Sequence, residues 1–169
     1  LAGAAGVAPA HHPHSQTMLL RVLGSSAGGG FPQWNCNCPN CAGLRAGSLR
    51  ARARTQSSVA VTADGQDWLL VNASPDLLTQ IQQTPTLQPA RSLRDSGIAA
   101  VLLMDAQIDH VTGLLMLRER KTPLPLLATP EVLSDIGAGF PITRILVHYC
   151  GVAAQAIASD GRAFSAPGL

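Results

Sequence analysis

Short runs of mainly apolar residues, separated by polar and glycine-containing segments, mark the strands of this chain. Two of the runs are almost uninterrupted, which is typical of central strands covered on both faces. A polar segment centred on Asp64 and Gly65 separates the second run from the third and predicts a hairpin turn. The predicted strands are residues 19–23, 57–62, 68–72, 98–104 and 124–128.

The segment after the third run carries the signals of a helix start. Ser74 is a natural N-cap, Pro75 suits the first helical position, and Asp76 complements the helix dipole. A short helix is therefore predicted to run to about Gln83.

Two more helices are predicted between and after the later strands. Apolar residues at helical spacing predict a helix over residues 111–120. Another is predicted to open at Thr129 and to end near Gly139. Residues 150–169 show no obvious closing element. Strands that alternate with helices predict an α/β fold.

Composition and charge narrow the class of protein. Apolar residues make up 46% of the chain and charged residues 13%, as in a globular domain, and the net charge is only +2. Such a charge gives little attraction to nucleic acid. The basic residues 45–54 are interpreted as a solvated segment, with a local anion-binding strip as the alternative. No apolar run approaches the roughly 18 residues of a membrane span.

The first residues differ in composition from the rest. Residues 1–17 are rich in Ala, Gly and Pro and lack the charged and apolar regions of a signal peptide. We predict a disordered extension there, upstream of a natural start at Met18, with the domain over residues 18–169.

Three of the four cysteines lie within six residues. Cys36, Cys38 and Cys41 have the spacing C-x-C-x2-C, and three thiolates so spaced can hold one zinc ion. The sequence therefore predicts a structural zinc site and, because these thiols cannot easily pair with each other, a reducing cytoplasm. His148 and Cys150 are the candidates within the chain for a fourth ligand, although Cys150 also fits a small buried apolar residue.

A second polar cluster, residues 105–110, follows the fourth predicted strand, where α/β folds place functional sites. Asp109 and His110 can together bind a divalent ion such as zinc, iron or manganese. The alternatives are that Asp109 caps the following helix and that His110 is a hydrogen-bonded, half-buried imidazole. Asp76 is interpreted as a dipole partner rather than as a ligand.

These motifs together resemble the coenzyme PQQ synthesis protein B family, which has a metallo-β-lactamase-like fold. The matching phrases are G-G-G-F-P-Q-W-N-C-N-C at residues 28–38, R-T-Q-S-S at 54–58, N-A-S-P-D at 72–76 and Q-I-D-H-V-T-G at 107–113. The resemblance covers residues 18–169 and implies the N-terminal half of an αββα sandwich.

The resemblance also implies a ligand set. The superfamily pattern at this strand end is H-x-H-x-D-H, and here the two leading histidine positions hold Asp105 and Gln107, while Asp109 and His110 keep their types. Glutamine is a poor ligand for such ions. The expectation is therefore one metal on Asp109 and His110, with Asp105 and Gln107 lining the site or binding water beside it and Asp76 orienting that surrounding shell.

The implied function is pyrroloquinoline quinone (PQQ) biosynthesis, by iron-dependent oxygenation of a tyrosine-derived precursor. A small-molecule or short-peptide precursor and other proteins of the pathway are the expected partners. The first alternative is a soluble carrier that takes PQQ or its precursor toward the periplasm. A weaker alternative is a metal-dependent hydrolase, which the residues at positions 105 and 107 disfavour because dinuclear hydrolysis needs two ions.

A complete αββα sandwich needs about 250 to 300 residues by the size of two sheets and their covering helices. The remaining metal ligands are therefore expected outside this chain, which is predicted to be inactive alone. One sheet face is expected to leave an exposed apolar patch.

Overall fold

A computed structural model of the protein describes residues 17–169, and its centre is one six-stranded sheet whose spatial order follows the chain order. β1 pairs with β2 and β2 with β3 in antiparallel fashion, whereas β3 to β6 run parallel to one another. The extension predicted at residues 1–17 lies outside the described residues, apart from Thr17. The strands are β1 Leu19–Gly24, β2 Ser58–Thr62, β3 Trp68–Val71, β4 Ile98–Leu102, β5 Leu124–Ala128 and β6 Val152–Ala156.

The five predicted strands are confirmed, and so is the hairpin between β2 and β3. Asp64 forms the turn, since its Oδ1 accepts hydrogen bonds from the backbone N–H groups of Gln66 and Asp67 at 2.8 and 2.9 Å. The expectation of no closing element in residues 150–169 is wrong, because β6 pairs along its length with β5. That strand is alanine-rich and mostly exposed, so it carries no apolar signal.

The helices are short, and those that follow β3 cover one face of the sheet. Their buried residues, among them Leu77, Leu114 and Ile142, share one core with the strand residues Leu70 and Leu126. The α-helices are α1 Pro39–Arg45, α2 Leu77–Gln82, α3 Ile108–Val111, α4 Pro130–Ser134 and α5 Ile142–Leu146. Two 3₁₀ segments, Pro85–Leu87 and Thr112–Leu117, and a π-helical turn, Asp135–Gly139, complete the layer.

The opposite face of the sheet is only partly covered. A small second cluster of Leu69, Ala100 and Leu127 packs there against Ala166. Toward β1 the same face is open, with Leu20 66% and Val22 59% exposed. The predicted exposed apolar patch is therefore present in the described residues.

The predicted N-cap at Ser74 is wrong. α2 begins at Leu77 with Asp76 in the N-cap position, and Ser74 lies before it with its hydroxyl buried. Nor does the Asp76 side chain cap the helix, because its Oδ2 accepts hydrogen bonds from Gln56 instead. A long-range contact has replaced the local one that the motif predicted.

The predictions of the two later helices have different outcomes. The helix predicted over residues 111–120 starts earlier, at Ile108, and its 3₁₀ continuation ends at Leu117. The helix predicted after Thr129 is confirmed: Thr129 is the N-cap and accepts from Val132 N, and the helical segment ends at Gly139. No helix within residues 17–169 is long and apolar enough to cross a bilayer.

Candidate metal centres

Two loops at the carboxyl ends of β3 and β4 meet and are fastened by backbone contacts. Asn72, in a left-handed conformation with φ 60°, accepts a hydrogen bond at its Oδ1 from Met104 N at 3.0 Å. Ala73 N donates to His110 O at 2.7 Å, and Gly113 N donates to Ala73 O at 2.9 Å. The N-A-S-P-D turn therefore fixes the position of the segment that carries Asp109 and His110.

Asp105 orients the His110 imidazole. Its Oδ1 lies 2.7 Å from His110 Nδ1 and also accepts from Gln107 N at 3.0 Å. With Nδ1 donating to the carboxylate, the lone pair of Nε2 is left for a ligand, the arrangement typical of metal-binding histidines. The carboxylate at position 105 thus acts through the imidazole.

Asp109 lies next to the free edge of that imidazole. Its Oδ2 is 3.9 Å from His110 Nε2, and both side chains are largely shielded from solvent, at 26% and 18% exposed. The backbone of Gly28 is on the other side, where an added Cβ would lie 3.1 Å from Asp109 Oδ2. One oxygen and one nitrogen therefore point to a shared space beside the glycine loop.

The alternatives for these two residues have different outcomes. Asp109 is not the cap of α3, because Gln107 holds the N-cap position and Asp109 lies in the first turn. His110 is indeed half-buried and hydrogen-bonded, through Asp105, but only one of its two ring nitrogens is used in that way. The Gln107 amide is exposed, and among residues 17–169 it reaches only Asp105, at 3.5 Å.

Asp76 stands behind the glycine loop. Its Oδ2 accepts from Gln56 N at 2.8 Å and from Gln56 Nε2 at 3.1 Å, and Gln56 Oε1 in turn accepts from Gly29 N at 3.1 Å. Gln56 is 8% exposed, so this relay is shielded from water. Asp76 therefore acts on the site through the loop that contacts Asp109.

The Asp109 and His110 donors fit part of a mononuclear iron site. An imidazole and a carboxylate are two of the three ligands in the facial arrangement of non-haem iron enzymes. Within residues 17–169, no third His, Cys, Asp or Glu joins them in a group of three ligand atoms. The pair alone leaves most of the coordination sphere to other donors.

The three clustered cysteines form a group of three candidate metal ligands of a different kind. The Sγ atoms of Cys36, Cys38 and Cys41 lie within 4.8 Å of one another, and tetrahedral zinc with bonds of about 2.3 Å requires sulfurs about 3.8 Å apart. Cys38 is the N-cap of α1, and Cys41 is buried one turn into that helix. This donor set fits zinc with little adjustment.

The thiols have unequal acidities. Hydrogen bonds from the Cys41 backbone and from the thiols of Cys36 and Cys41 lower the pKa of Cys38 to about 7. At Cys41 the Gln33 backbone favours the thiolate, but burial and the two neighbouring thiols outweigh it and raise the pKa. Cys38 is therefore more readily deprotonated than Cys41 to receive a cation.

Arg45 fastens the cysteine loop. Its Nη2 donates to the backbone oxygens of Gln33 and, at 2.7 Å, of Cys36. At the other end of the basic segment, the Arg54 guanidinium lies over the Phe31 ring at 5.0 Å, and the backbones of these two residues pair. Both ends of residues 45–54 thus support the loop instead of being simply solvated.

Neither candidate for a fourth zinc ligand joins the cysteine group among the described residues. His148 is exposed on the chain after α5. Cys150 packs against the helical core and its Sγ contacts Gly151 O at 3.2 Å, so its interpretation as a partly buried apolar residue is the better one.

Sequence reasoning missed three supporting roles. It did not assign Asp105 to the imidazole, Gln56 to Asp76, or Arg45 to the cysteine loop. A signal for the first was available, because Asp105 and His110 flank one tight turn and their side chains can meet across it. The other two contacts join residues 20 and 9 positions apart and leave no local signal.

Comparison with known proteins gives concordant matches. The model of the β-lactamase superfamily domain matches residues 67–169. Coenzyme PQQ synthesis protein B of Cupriavidus necator is 67% identical over 150 residues, which are 89% of this chain and 49% of that protein. The protein of the same name from Azoarcus sp. is 60% identical over 85% of this chain and 47% of its own length.

Solved structures agree with these matches. Zinc-bound PqqB from Methylobacterium extorquens superposes with a TM-score of 0.75 at 47% identity, over 84% of this chain and 50% of that one. A diphosphatase of the PhnP family, 21% identical with a TM-score of 0.63 over 88% of this chain and 54% of its own, shares the fold. The metallo-β-lactamase fold predicted from the sequence is confirmed. The chain spans about half the length of the curated relatives it matches.

Proposed function

This chain belongs to the β-lactamase superfamily, and from its likeness to the coenzyme PQQ synthesis B proteins we propose that it takes part in pyrroloquinoline quinone biosynthesis. The step we propose is metal-dependent oxygenation of a tyrosine-derived precursor, with iron held by Asp109 and His110. The complete activity requires donors beyond those that residues 17–169 bring together.

One observation carries this proposal: the free Nε2 of His110 lies 3.9 Å from Asp109 Oδ2, while Asp105 occupies Nδ1. A histidine held in this way offers one nitrogen in a fixed direction, and the neighbouring carboxylate supplies the negative charge that a divalent ion needs. Iron bound with open positions would supply oxygen activation.

The residues of this chain have separate tasks in the proposed site. His110 and Asp109 bind, and Asp105 holds the imidazole in the tautomer that presents Nε2. Asp76 and Gln56 hold the backbone N–H of Gly29 in place. The glycine loop can then lie against Asp109, where the absence of a side chain at Gly28 leaves the space open.

In this chain Asp105 and Gln107 take the place of the two leading histidines of the superfamily pattern, and this replacement supports oxygenation over dinuclear hydrolysis. The Asp105 carboxylate contacts His110, and the Gln107 amide reaches no side chain other than Asp105 within the part of the chain that the structure describes. Neither side chain provides the imidazoles that hold the first ion of a hydrolytic pair. We therefore propose a single metal position on this side of the site.

We propose a structural role for the cysteine cluster, with zinc on Cys36, Cys38 and Cys41. The cluster lies on the loop that continues from the glycine segment, and Arg45 fastens it from α1. A bound ion would add folding energy to a loop that has few buried residues of its own. Zinc there would hold the glycine loop in place without entering the reaction.

We propose that the protein works in the cytoplasm, because thiols that bind a metal require a reducing compartment. The expected partners are the small-molecule or short-peptide precursor and other proteins of the pathway. The carrier for PQQ or its precursor is the second candidate. It is favoured by the small number of metal donors that the described residues assemble beside His110.

Metal analysis of the complete protein tests the proposal. Oxygenation predicts about one equivalent each of zinc and iron, with Asp109→Ala or His110→Ala losing iron but keeping zinc. His148→Ala, which changes an exposed histidine, is the matched control and should keep both metals.

Activity supplies the second readout. A tyrosine-containing precursor should gain the mass of oxygen only with the iron-loaded protein. Finding zinc alone, unaffected by either variant, would instead support the carrier, and turnover of a simple phosphodiester would support the hydrolase.

A further inference from the structure

A cavity of about 880 Å³ lies between the segment that precedes β4 and the segment that follows the second 3₁₀ helix. Arg120, on its wall, donates from Nη1 to Ile98 O at 2.7 Å, at the first residue of β4. Asp105 and His110 follow the other end of this strand, which is roughly 13 Å away at 3.3 Å per residue. The residues that line the cavity include none of those in the Asp109 and His110 site or in the cysteine cluster, so the cavity is separate from both candidate metal centres.

The lining of the cavity has an excess of positive charge. Two carboxylates, Asp95 and Glu119, face five cations. The cations are Arg91, Arg94, Arg118, Arg120 and Lys121. A concave surface of one sign concentrates field and attracts counter-ions, and arginine in particular suits the geometry of carboxylate and other oxyanions.

One wall is held in a fixed shape by Arg91. Its guanidinium contacts Asp67 at 2.6 Å, Asp95 at 3.3 Å and the backbone oxygen of Ser96 at 2.8 Å. Arg91 and Asp95 therefore neutralise each other and build the wall. The remaining cations are left to face the space in front of it.

Those remaining cations have few partners. Within residues 17–169, the side chains of Arg94 and Lys121 form no hydrogen bond or ion pair. Arg118 donates to Leu115 O at 3.1 Å and lies 3.5 Å from a Glu119 carboxylate oxygen. Arg120 is half-buried, and burial lowers its pKa from the ordinary arginine value. An anion in the cavity would offset the cost of keeping that charge away from water.

The floor of the cavity is apolar. Ile81, Leu93 and Met116 line it, and Leu87 and Leu117 are buried beneath them. An inorganic ion would gain nothing from these side chains, whereas the body of an organic molecule would be desolvated against them. The volume is also within the range of pockets that bind small molecules.

We infer that this cavity is a binding site for a small organic anion. Its carboxylate or similar oxyanion groups would lie against Arg94, Arg120 and Lys121, and its apolar body against Ile81, Leu93 and Met116. The inference is independent of the proposed oxygenation, because no residue of the cavity belongs to either metal centre.

Calorimetric titration of the purified, zinc-loaded protein with benzene-1,3-dicarboxylate tests this site. The wild type should bind one molecule, and the double variant Arg94→Gln/Lys121→Gln should bind at least tenfold more weakly, since each lost charge-assisted hydrogen bond is worth a factor of about ten or more. The matched control is Arg21→Gln/Arg144→Gln, which removes the same charge from exposed positions outside the cavity and should change affinity less than twofold.

Three results would overturn the inference. These are absence of binding at millimolar dicarboxylate, equal weakening in both double variants, and inorganic phosphate binding as tightly as the dicarboxylate. Thermal unfolding of each variant verifies that it is folded. Lys121→Glu alone, at an exposed position, repeats the test with a single change and should likewise weaken binding.

Discussion

Gly113 lies against the backbone of the N-A-S-P-D turn, and we predict that Gly113→Ala strongly destabilises the protein. A Cβ at this position would lie 2.2 Å from Ser74 O and 2.7 Å from Ala73 O, whereas ordinary contacts are 3.4–4 Å. The obstructing atoms are backbone and cannot rotate away. The turn and the 3₁₀ segment would have to separate by roughly 1 Å, as in severe overpacking of a core.

The cost can be worked from the contacts that such a separation removes. Gly113 N→Ala73 O and Ala73 N→His110 O are the two backbone hydrogen bonds that fasten this interface, each worth about 1 kcal/mol. Overpacking adds about 1–3 kcal/mol, so we expect a loss of about 3–5 kcal/mol in the free energy of unfolding.

Urea denaturation, followed by circular dichroism, measures this loss as a fall in the midpoint at constant slope. The control is Gly137→Ala, where the nearest side-chain atom is an ordinary 3.6 Å from the new Cβ, and where the change should lie within about 1 kcal/mol of zero. If Gly113→Ala were as mild as Gly137→Ala, the interface would not have the tight backbone packing described above.

Three further results are expected. Cys38→Ser should lower both the zinc content and the midpoint of thermal unfolding, because zinc binding adds folding energy. The control, Cys150→Ser, should leave the zinc content unchanged. Equal loss of zinc in the two variants would place Cys150 in the site. In the metal-free protein, the rate of Cys38 alkylation should rise with pH around 7, and a rise only near 9 would contradict the lowered pKa. Because that folded-state pKa lies below the ordinary value of 9.0, the thiolate favours the folded metal-free protein above pH 9, and this contribution disappears as pH falls through 7. Asp105→Asn should weaken metal binding at His110 by about 10–100-fold, as measured by competition with a chelator. The control, Asp160→Asn in an exposed loop, should leave metal affinity unchanged. Unchanged affinity in both variants would show that the His110 imidazole needs no carboxylate partner.

The features that depend on contacts between neighbours in sequence could be predicted from the sequence alone. Each predicted apolar run is a strand in the structure, because the burial pattern of a strand depends on residues one or two positions apart. Asp64 and Gly65 formed the hairpin turn through contacts within five residues. Cys36, Cys38 and Cys41 were assembled by their own spacing, and Asp109 and His110 were found as adjacent polar residues at a strand end.

Tertiary structure decided which of several local options each polar side chain takes. Asp76 could cap its own helix, yet it holds Gln56, because that buried amide has to be paired once β2 and α2 meet. The Asp105 carboxylate could have bound an ion, but the turn into α3 places it on His110. The cavity cations come from segments on either side of β4 and meet only after the sheet has formed. Spacing along a chain specifies contacts between near neighbours, whereas contacts between distant residues depend on strand order and register, which only the packed core fixes.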